Sequence, residues 1–272
     1  MTSYQWRLII HPPADGSWNM AVDESLLESV IAGDSPPVLR LYAWSPPCLS
    51  LGYAQPIGDV DLTYLNQQKW SITRRPTGGR AILHTDELTY SVISPIDTPL
   101  LHGTILESYQ VISKALLMTL QLLGLSATAD KQNSQIAGSV QPVCFEVPSN
   151  YEITVNHQKV IGSAQARRQN ALLQHGTVPL SGDITRIVDA MQFHSAADRE
   201  AARSRLLEHA ATVGMLLGTC PTWDEAAQAM VKAFSQTLDI EFVVSELTQL
   251  ERDMAIKLAA QKYASPDWIN RV

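Results

Sequence analysis

The chain has 272 residues, of which 45% are hydrophobic and 17% charged, with a formal net charge of -7. A charged share below the roughly 25% of an average soluble protein predicts a well-buried core and excludes a disordered chain. The acidic balance excludes a general nucleic-acid binder, and no apolar run is long enough to span a bilayer.

The three cysteines, Cys48, Cys144 and Cys220, match no zinc spacing and are an odd number for a disulfide framework. The first residues carry no charged leader ahead of an apolar stretch. These features predict a reduced, cytoplasmic setting in which a free thiol survives and can act as a nucleophile.

In chain order, residues 4–11 alternate and predict a strand with Trp6, Leu8 and Ile10 on one face. Ser17 is read as the cap of a helix to residue 32, with Gly33 as its stop. Met20, Leu26, Leu27, Val30 and Ile31 form that helix's buried stripe, and Asp23 is read as a capping or supporting carboxylate. Strands are predicted at 38–44, 49–52, 71–75, 81–84 and 88–94, with helices at 61–69 and 104–123. Residues 130–149 are polar, carry Gly138, Pro142 and Pro148, and show no period; they predict a long loop of the kind that carries function. Strands 151–155 and 159–165 predict a hairpin around Asn156-His157-Gln158, followed by a strand at 171–180. Helices are then predicted at 184–192, 197–209, 222–238 and 246–263. The pattern predicts an α+β fold: a largely antiparallel sheet flanked by helices, with residues 1–181 as the core and a helical part, 182–272, packed on it without forming an independent domain.

The run Arg74-Arg75-Pro76-Thr77-Gly78-Gly79-Arg80-Ala81-Ile82-Leu83-His84 sits between apolar segments. Adjacent glycines let the backbone approach a ligand and present its N–H groups, and arginines add fixed positive charge. The run reads either as a solvated Gly-Gly hairpin or as a cradle for an anionic or carbonyl-bearing ligand formed by Arg75, Thr77, Gly78, Gly79, Arg80 and His84. Arg74, Arg75, Arg80, Lys159, Arg167 and Arg168 are candidates for a local basic face. Gly162 and Ser163, followed by Ala164, interrupt the apolar strand that Lys159 begins, which suggests close approach of a ligand or another backbone.

Cys144 lies in Pro142-Val143-Cys144-Phe145-Glu146-Val147-Pro148, where two prolines restrict the backbone, and is read as a nucleophile or as a small apolar filler. Cys48 reads as core, and Cys220 as a thiol at a helix start. Lys159 either points at water or stabilises a thiolate. His84 and His175 read as structural or site histidines. Asp23, Glu24, Asp86 and Glu87 have no metal-ligand spacing, and neither a Walker loop nor a dinucleotide fingerprint is present.

Taken together, Asn19-Met20-Ala21 with Asp23-Glu24, Trp44-Ser45-Pro46-Pro47, Ser50-Leu51-Gly52-Tyr53-Ala54-Gln55, the 74–84 run, Glu87-Leu88-Thr89-Tyr90-Ser91, the Lys159 strand and Gln174-His175-Gly176-Thr177 resemble the biotin/lipoate A/B protein ligase family over residues 4–181. The Cys144 loop ahead of Tyr151-Glu152-Ile153 resembles the branch of octanoyltransferases whose acceptor thiol lies in that loop. The resemblance implies catalytic roles for Cys144 and Lys159 and a substrate pocket formed by Arg75, Thr77, Gly78, Gly79, Arg80, His84, Gly162, Ser163, Ala164 and His175. It implies octanoyl-acyl carrier protein as donor, and a lipoyl-type carrier domain (a glycine cleavage H protein or a dehydrogenase E2 domain) as acceptor, with no metal, cofactor or ATP. The alternatives are an ATP-dependent lipoate-protein ligase, an amidotransferase between carrier proteins, and a non-catalytic acyl-binding protein. Ile82-Leu83, Val92 and Val160-Ile161 are expected as walls for an eight-carbon tail.

Overall fold

The computed structural model describes residues 4–130 and 152–272. Its frame is an eight-stranded mixed sheet. In chain order its strands are β1 (Tyr4–Ile10), β2 (Val38–Tyr42), β6 (Glu87–Pro95), β7 (Thr128–Asp130), β8 (Glu152–Val155), β9 (Gln158–Arg168), β10 (Ala171–Pro179) and β11 (Ile240–Val244). The spatial order is β11-β1-β2-β6-β10-β9-β8-β7. Pairing is antiparallel except where β1 meets β2 and β11. A smaller sheet has the order β4 (Ser71–Arg74), β3 (Cys48–Leu51), β5 (Ile82–His84).

The central strands are buried because helices cover both faces. On one face lie α1 (Gly16–Ala32) and α8 (Gln249–Leu258), which runs on into a π turn at Ala259–Tyr263. On the other lie α3 (Ile105–Leu122) and α7 (Trp223–Leu238), packed on each other over Trp6, Leu8, Leu41 and Tyr90. A third cluster joins the small sheet to α2 (Leu62–Gln68), α4 (Arg186–Asp189) and α5 (Ala196–His209).

Several expectations change in detail. Asp15, not Ser17, caps α1, because its carboxylate accepts the Trp18 N–H at 3.0 Å. In β1, Trp6 and Leu8 face one core and Ile9 the other, while Ile10 is 45% exposed at the strand's open end. β9 starts at Gln158, since Asn156 and His157 alone take the left-handed conformation (φ 51° and 66°) of a two-residue hairpin turn. The C-terminal part is not purely helical. β11 extends the main sheet, yet of its five residues only Ile240 is buried, so no alternation marked it in the sequence. β7, with three residues, and α6 (Val213–Leu217) were too short to register. Among the described residues no helix is long and apolar enough to cross a membrane.

Candidate active site

The small sheet meets β9 and β10 around a cavity of about 40 Å³. Gly162, Ser163 and Ala164 of β9 and His175, Gly176 and Thr177 of β10 form one side. Arg75, Gly79, Ile82 and His84 form another, and Met20, Tyr42, Trp44 and Thr89 complete the lining. Two glycine contacts permit this closeness. A Cβ on Gly176 would lie 2.5 Å from the Gly162 carbonyl oxygen, and one on Gly52 would overlap that of Gly79. Gly79 itself takes φ +95°, in the region that favours glycine. It also borders an outer groove lined by Tyr53, Ala54, Gln55, Pro76, Gly78 and Arg80.

Beneath the cavity, α1 places Asp23 on the sheet, fully buried. Its Oδ1 accepts from Arg40 Nη1 at 2.7 Å and Ser91 Oγ at 2.9 Å. Its Oδ2 accepts from Tyr42 Oη at 2.9 Å and His175 Nδ1 at 3.1 Å. Burial pushes the Asp23 carboxyl up, but the Arg40 charge and the His175 hydrogen bond outweigh it and leave it below its ordinary value. Burial lowers the His175 pKa against the pull of Asp23, so the imidazole is neutral. With Nδ1–H donated to Asp23, Nε2 accepts the Thr77 hydroxyl at 2.6 Å. Arg40 also bonds the Asn19 carbonyl and side chain, and donates Nε–H to His11 Nδ1 at 3.0 Å. Burial and the Arg40 charge hold His11 down at about 4.

A second chain of bonds supports the other side. Glu87 accepts from His84 Nδ1 and Thr89 Oγ1, each at 2.6 Å. His84 Nε2 accepts from Ser50 Oγ at 2.7 Å, and Ser50 Oγ accepts from Arg75 Nη1 at 2.6 Å. Trp44 stacks on His84 with ring centroids 3.9 Å apart and donates to Thr89 Oγ1 at 2.7 Å.

The arginines of the cradle do not form the expected basic face. Arg74 is fully buried and donates to the carbonyls of Gly52, Tyr53, Gln55, Trp268 and Ile269. Arg75 ties Ser50 to the Gly78 and Arg80 carbonyls, which shapes the turn. Arg167 bonds the Gly103 and Thr104 carbonyls, and Arg168 pairs with Glu24 and Glu28. Lys159 is buried against Glu152, Nζ to Oε1 at 2.9 Å. Arg80 is half-buried at the outer groove.

Of the residues expected at the site, Arg75, Gly79, His84, Gly162, Ser163, Ala164 and His175 line the cavity. Thr77 lies behind His175, and Gly78 and Arg80 border the outer groove. Lys159 is three residues along β9 from Gly162, and its ammonium is carried toward Glu152 on the adjoining strand. Cys144 lies outside the described residues. Of the expected walls only Ile82 lines the cavity, because Val92, Val160 and Ile161 face the core under α3 and α7. Leu83 packs with the small sheet's own cluster. Burial pushes the Cys48 thiol up to about 12, which leaves it protonated and inert. Cys220 is exposed at a separate cavity with His11 and Trp223. Among the described residues no group of His, Cys, Asp and Glu could hold a metal ion.

Sequence reasoning passed over Tyr42, Trp44, Thr89 and Thr177 as site residues and Arg40 as their support. The signal for Arg40 was a charge inside the apolar strand Val38-Leu39-Arg40-Leu41-Tyr42, which requires a buried partner. Thr177 is 1% exposed, and its hydroxyl has no hydrogen-bond partner among the described residues.

Residues 15–235 match the lipoyl protein ligase A/B catalytic domain. The chain belongs to this family. It is 39% identical to octanoyltransferase LipM of Carboxydothermus hydrogenoformans over 269 residues, 98% of both chains. It is 37% identical to octanoyltransferase LipM of Bacillus subtilis, over 98% of this chain and 99% of the relative. A solved bipartite lipoate protein ligase from Thermoplasma acidophilum, studied with its E2 lipoyl domain, superposes with a TM-score of 0.83. That superposition covers 98% of this chain and 96% of the matched chain at 25% identity.

Proposed function

We propose that the chain is an octanoyltransferase of lipoate biosynthesis. It takes the acyl group from octanoyl-acyl carrier protein through a thioester on Cys144 and delivers it to a lysine of a lipoyl-type carrier domain in the cytoplasm. One observation carries the reading: Met20, Tyr42, Trp44 and Ile82 wall a small cavity that shares Gly79 with an outer groove at the Gly78-Gly79 turn, so an acyl carbonyl held at the turn leads its tail toward an apolar wall. The near-full-length identity to octanoyltransferases supports the same substrate.

The Cys144 thiolate attacks the thioester carbonyl, the carbon–sulfur bond to the carrier breaks, and the carrier thiol leaves with a proton. N–H groups of the Gly78-Gly79 turn or of Gly162-Ser163 stabilise the oxyanion. Thr177 adds a buried hydroxyl with which the acyl carbonyl can bond. Lys159, as an ammonium, favours the thiolate by its charge, gives its proton to the departing carrier thiolate, and as the neutral amine then takes a proton from the incoming lysine. The amine attacks the Cys144 thioester, an amide forms and the thiol is restored. A thioester becomes an amide, so ATP is not required. Neutral His175, fixed between Asp23 and Thr77, adds no charge to the cavity wall. Of the two described cysteines, Cys48 is buried as a protonated thiol and Cys220 faces another cavity, which supports Cys144 as the nucleophile. In this reading residues 1–181 are the catalytic core, and 182–272 complete its sheet and cover it.

The test is transfer from octanoyl-acyl carrier protein to an apo lipoyl-type domain, with and without ATP. Amide formation without ATP is expected. A strict requirement for free acid and ATP would overturn the reading in favour of a ligase.

A further inference from the structure

We infer that Thr77 is a positioning residue for acyl transfer: its buried hydroxyl, bonded to His175, fixes how far the Gly78-Gly79 turn stands from β10. The inference rests on the acyl reading of the site. Thr77 is fully buried and lines neither the cavity nor the outer groove, so it does not itself touch the substrate. The carbonyls of the turn are already engaged. Tyr53 N–H donates to that of Thr77 at 2.9 Å, and Arg75 Nη2 donates to those of Gly78 and Arg80 at 3.3 and 2.9 Å. No acceptor among the described residues takes the Gly78 or Gly79 N–H, which leaves both for an incoming oxygen.

Those carbonyl bonds tie the turn to Tyr53 and Arg75, both on the side of the small sheet. The bond from Thr77 Oγ1 to His175 Nε2, at 2.6 Å, is the one hydrogen bond among the described residues that joins the turn to β10. The cavity lies between these two parts, so this bond sets the gap that an acyl group must enter. The imidazole is a firm stop, because Asp23 accepts its Nδ1–H at 3.1 Å and is itself held by Arg40 at 2.7 Å. With Nδ1 protonated and bonded, Nε2 offers one lone pair, and the Thr77 hydroxyl is the donor that reaches it. Without that hydroxyl the turn is free to drift from β10 while its other bonds survive. Its N–H groups then miss the oxygen of the tetrahedral intermediate, and a misplacement of about 1 Å can cost about 10²-fold in rate.

The experiment is single-turnover consumption of octanoyl-acyl carrier protein by an excess of the full chain without ATP, read by mass spectrometry of the carrier. Thr77→Val keeps the shape of the side chain and removes the hydroxyl, whereas Thr77→Ser keeps the hydroxyl; each is checked for fold by circular dichroism. Thr77→Val is expected to lower the limiting rate per folded molecule by about tenfold or more. The enzyme concentration that gives half that rate is expected to change less than about twofold, because the group lost does not touch the substrate. Thr77→Ser is expected to recover most of the rate. His175→Asn, which keeps a donor for Asp23 but is too short to reach Thr77, is expected to show the same loss as Thr77→Val, with no further loss when the two are combined. It carries the test if Thr77→Val does not fold. A wild-type limiting rate per folded molecule in Thr77→Val, or a loss that Thr77→Ser does not recover, would overturn the inference and leave the proposed function standing. A wild type that leaves the octanoyl carrier untouched would defeat the proposed function, and the inference with it.

Discussion

Arg40 and Arg74 are both fully buried, yet they are satisfied in opposite ways. Arg40, under the cavity floor, meets a carboxylate: Asp23 takes its charge and gathers Tyr42, Ser91 and His175 around it. Arg74, at the rim, has no carboxylate partner among the described residues; it holds carbonyls of the 52–55 loop and of the turn at α9 (Pro266–Ile269). The floor is an electrostatic unit whose parts are worth little alone. The rim is a backbone clamp whose shape depends on close approach, above all of Gly52 to Gly79. The floor should therefore respond to charge and acid, and the rim to volume and backbone.

The largest effect is expected from Asp23→Ala. It strands the Arg40 guanidinium and orphans three hydrogen-bond donors, and breaking a buried pair in this way costs about 3–5 kcal/mol. Urea unfolding measures it, and a loss under about 1 kcal/mol would show that the hub does not hold the floor together. Gly52→Ala should cost about 1–3 kcal/mol, because its new methyl meets the Gly79 carbonyl and the turn must shift. Its signature is a larger fall in octanoyl transfer than in unfolding free energy; equal activity per folded molecule would remove the rim from catalysis.

Acid separates the two regions further. His175 and His11 have folded pKa values below their ordinary 6.5, that of His11 at about 4, so the folded state binds fewer protons than the unfolded one. Stability from both is complete above pH 6.5 and is lost as pH falls from there toward their folded values. Asp23, also lowered, contributes above its unfolded pKa and loses that contribution as pH falls through its folded value. Urea midpoints of the wild type should thus decline below pH 6.5 and fall again in stronger acid. Arg74→Met should lower the whole curve while keeping its shape, since the rim contributes no titrating partner to this slope; a flattened curve would contradict the division. The smallest effect is expected from Cys220→Ala, which should leave both stability and transfer within error, as its thiol is exposed at the separate cavity.

Part of the sheet side of the candidate site was legible because Gly162 and Ser163 interrupt an apolar strand, whereas of His175-Gly176-Thr177 only His175 stood out as a candidate. The Gly78-Gly79 turn was legible because adjacent glycines between arginines let the backbone come close to a ligand. The role of Arg74 was not, because sequence shows a charge and not the carbonyls that surround it. Asp23 was read as a capping or supporting carboxylate and proves to be the second, but its partners were not legible, since only the fold brings it beneath His175, 152 positions away. Trp44 stood out only as part of the Trp44-Ser45-Pro46-Pro47 piece, since nothing local reveals that its indole stacks on His84 and lines the cavity. β11 was missed because it adds to the sheet through backbone pairing with β1, which leaves little trace in its side chains.

The most direct test of the account is the intact mass of the protein after mixing with octanoyl-acyl carrier protein, before any acceptor is added. The wild type and Cys48→Ala should each gain one octanoyl group, labile to hydroxylamine, and Cys144→Ala should gain none. An adduct that persists in Cys144→Ala, or one that never forms in the wild type while transfer proceeds, would contradict the covalent route on which the account is built.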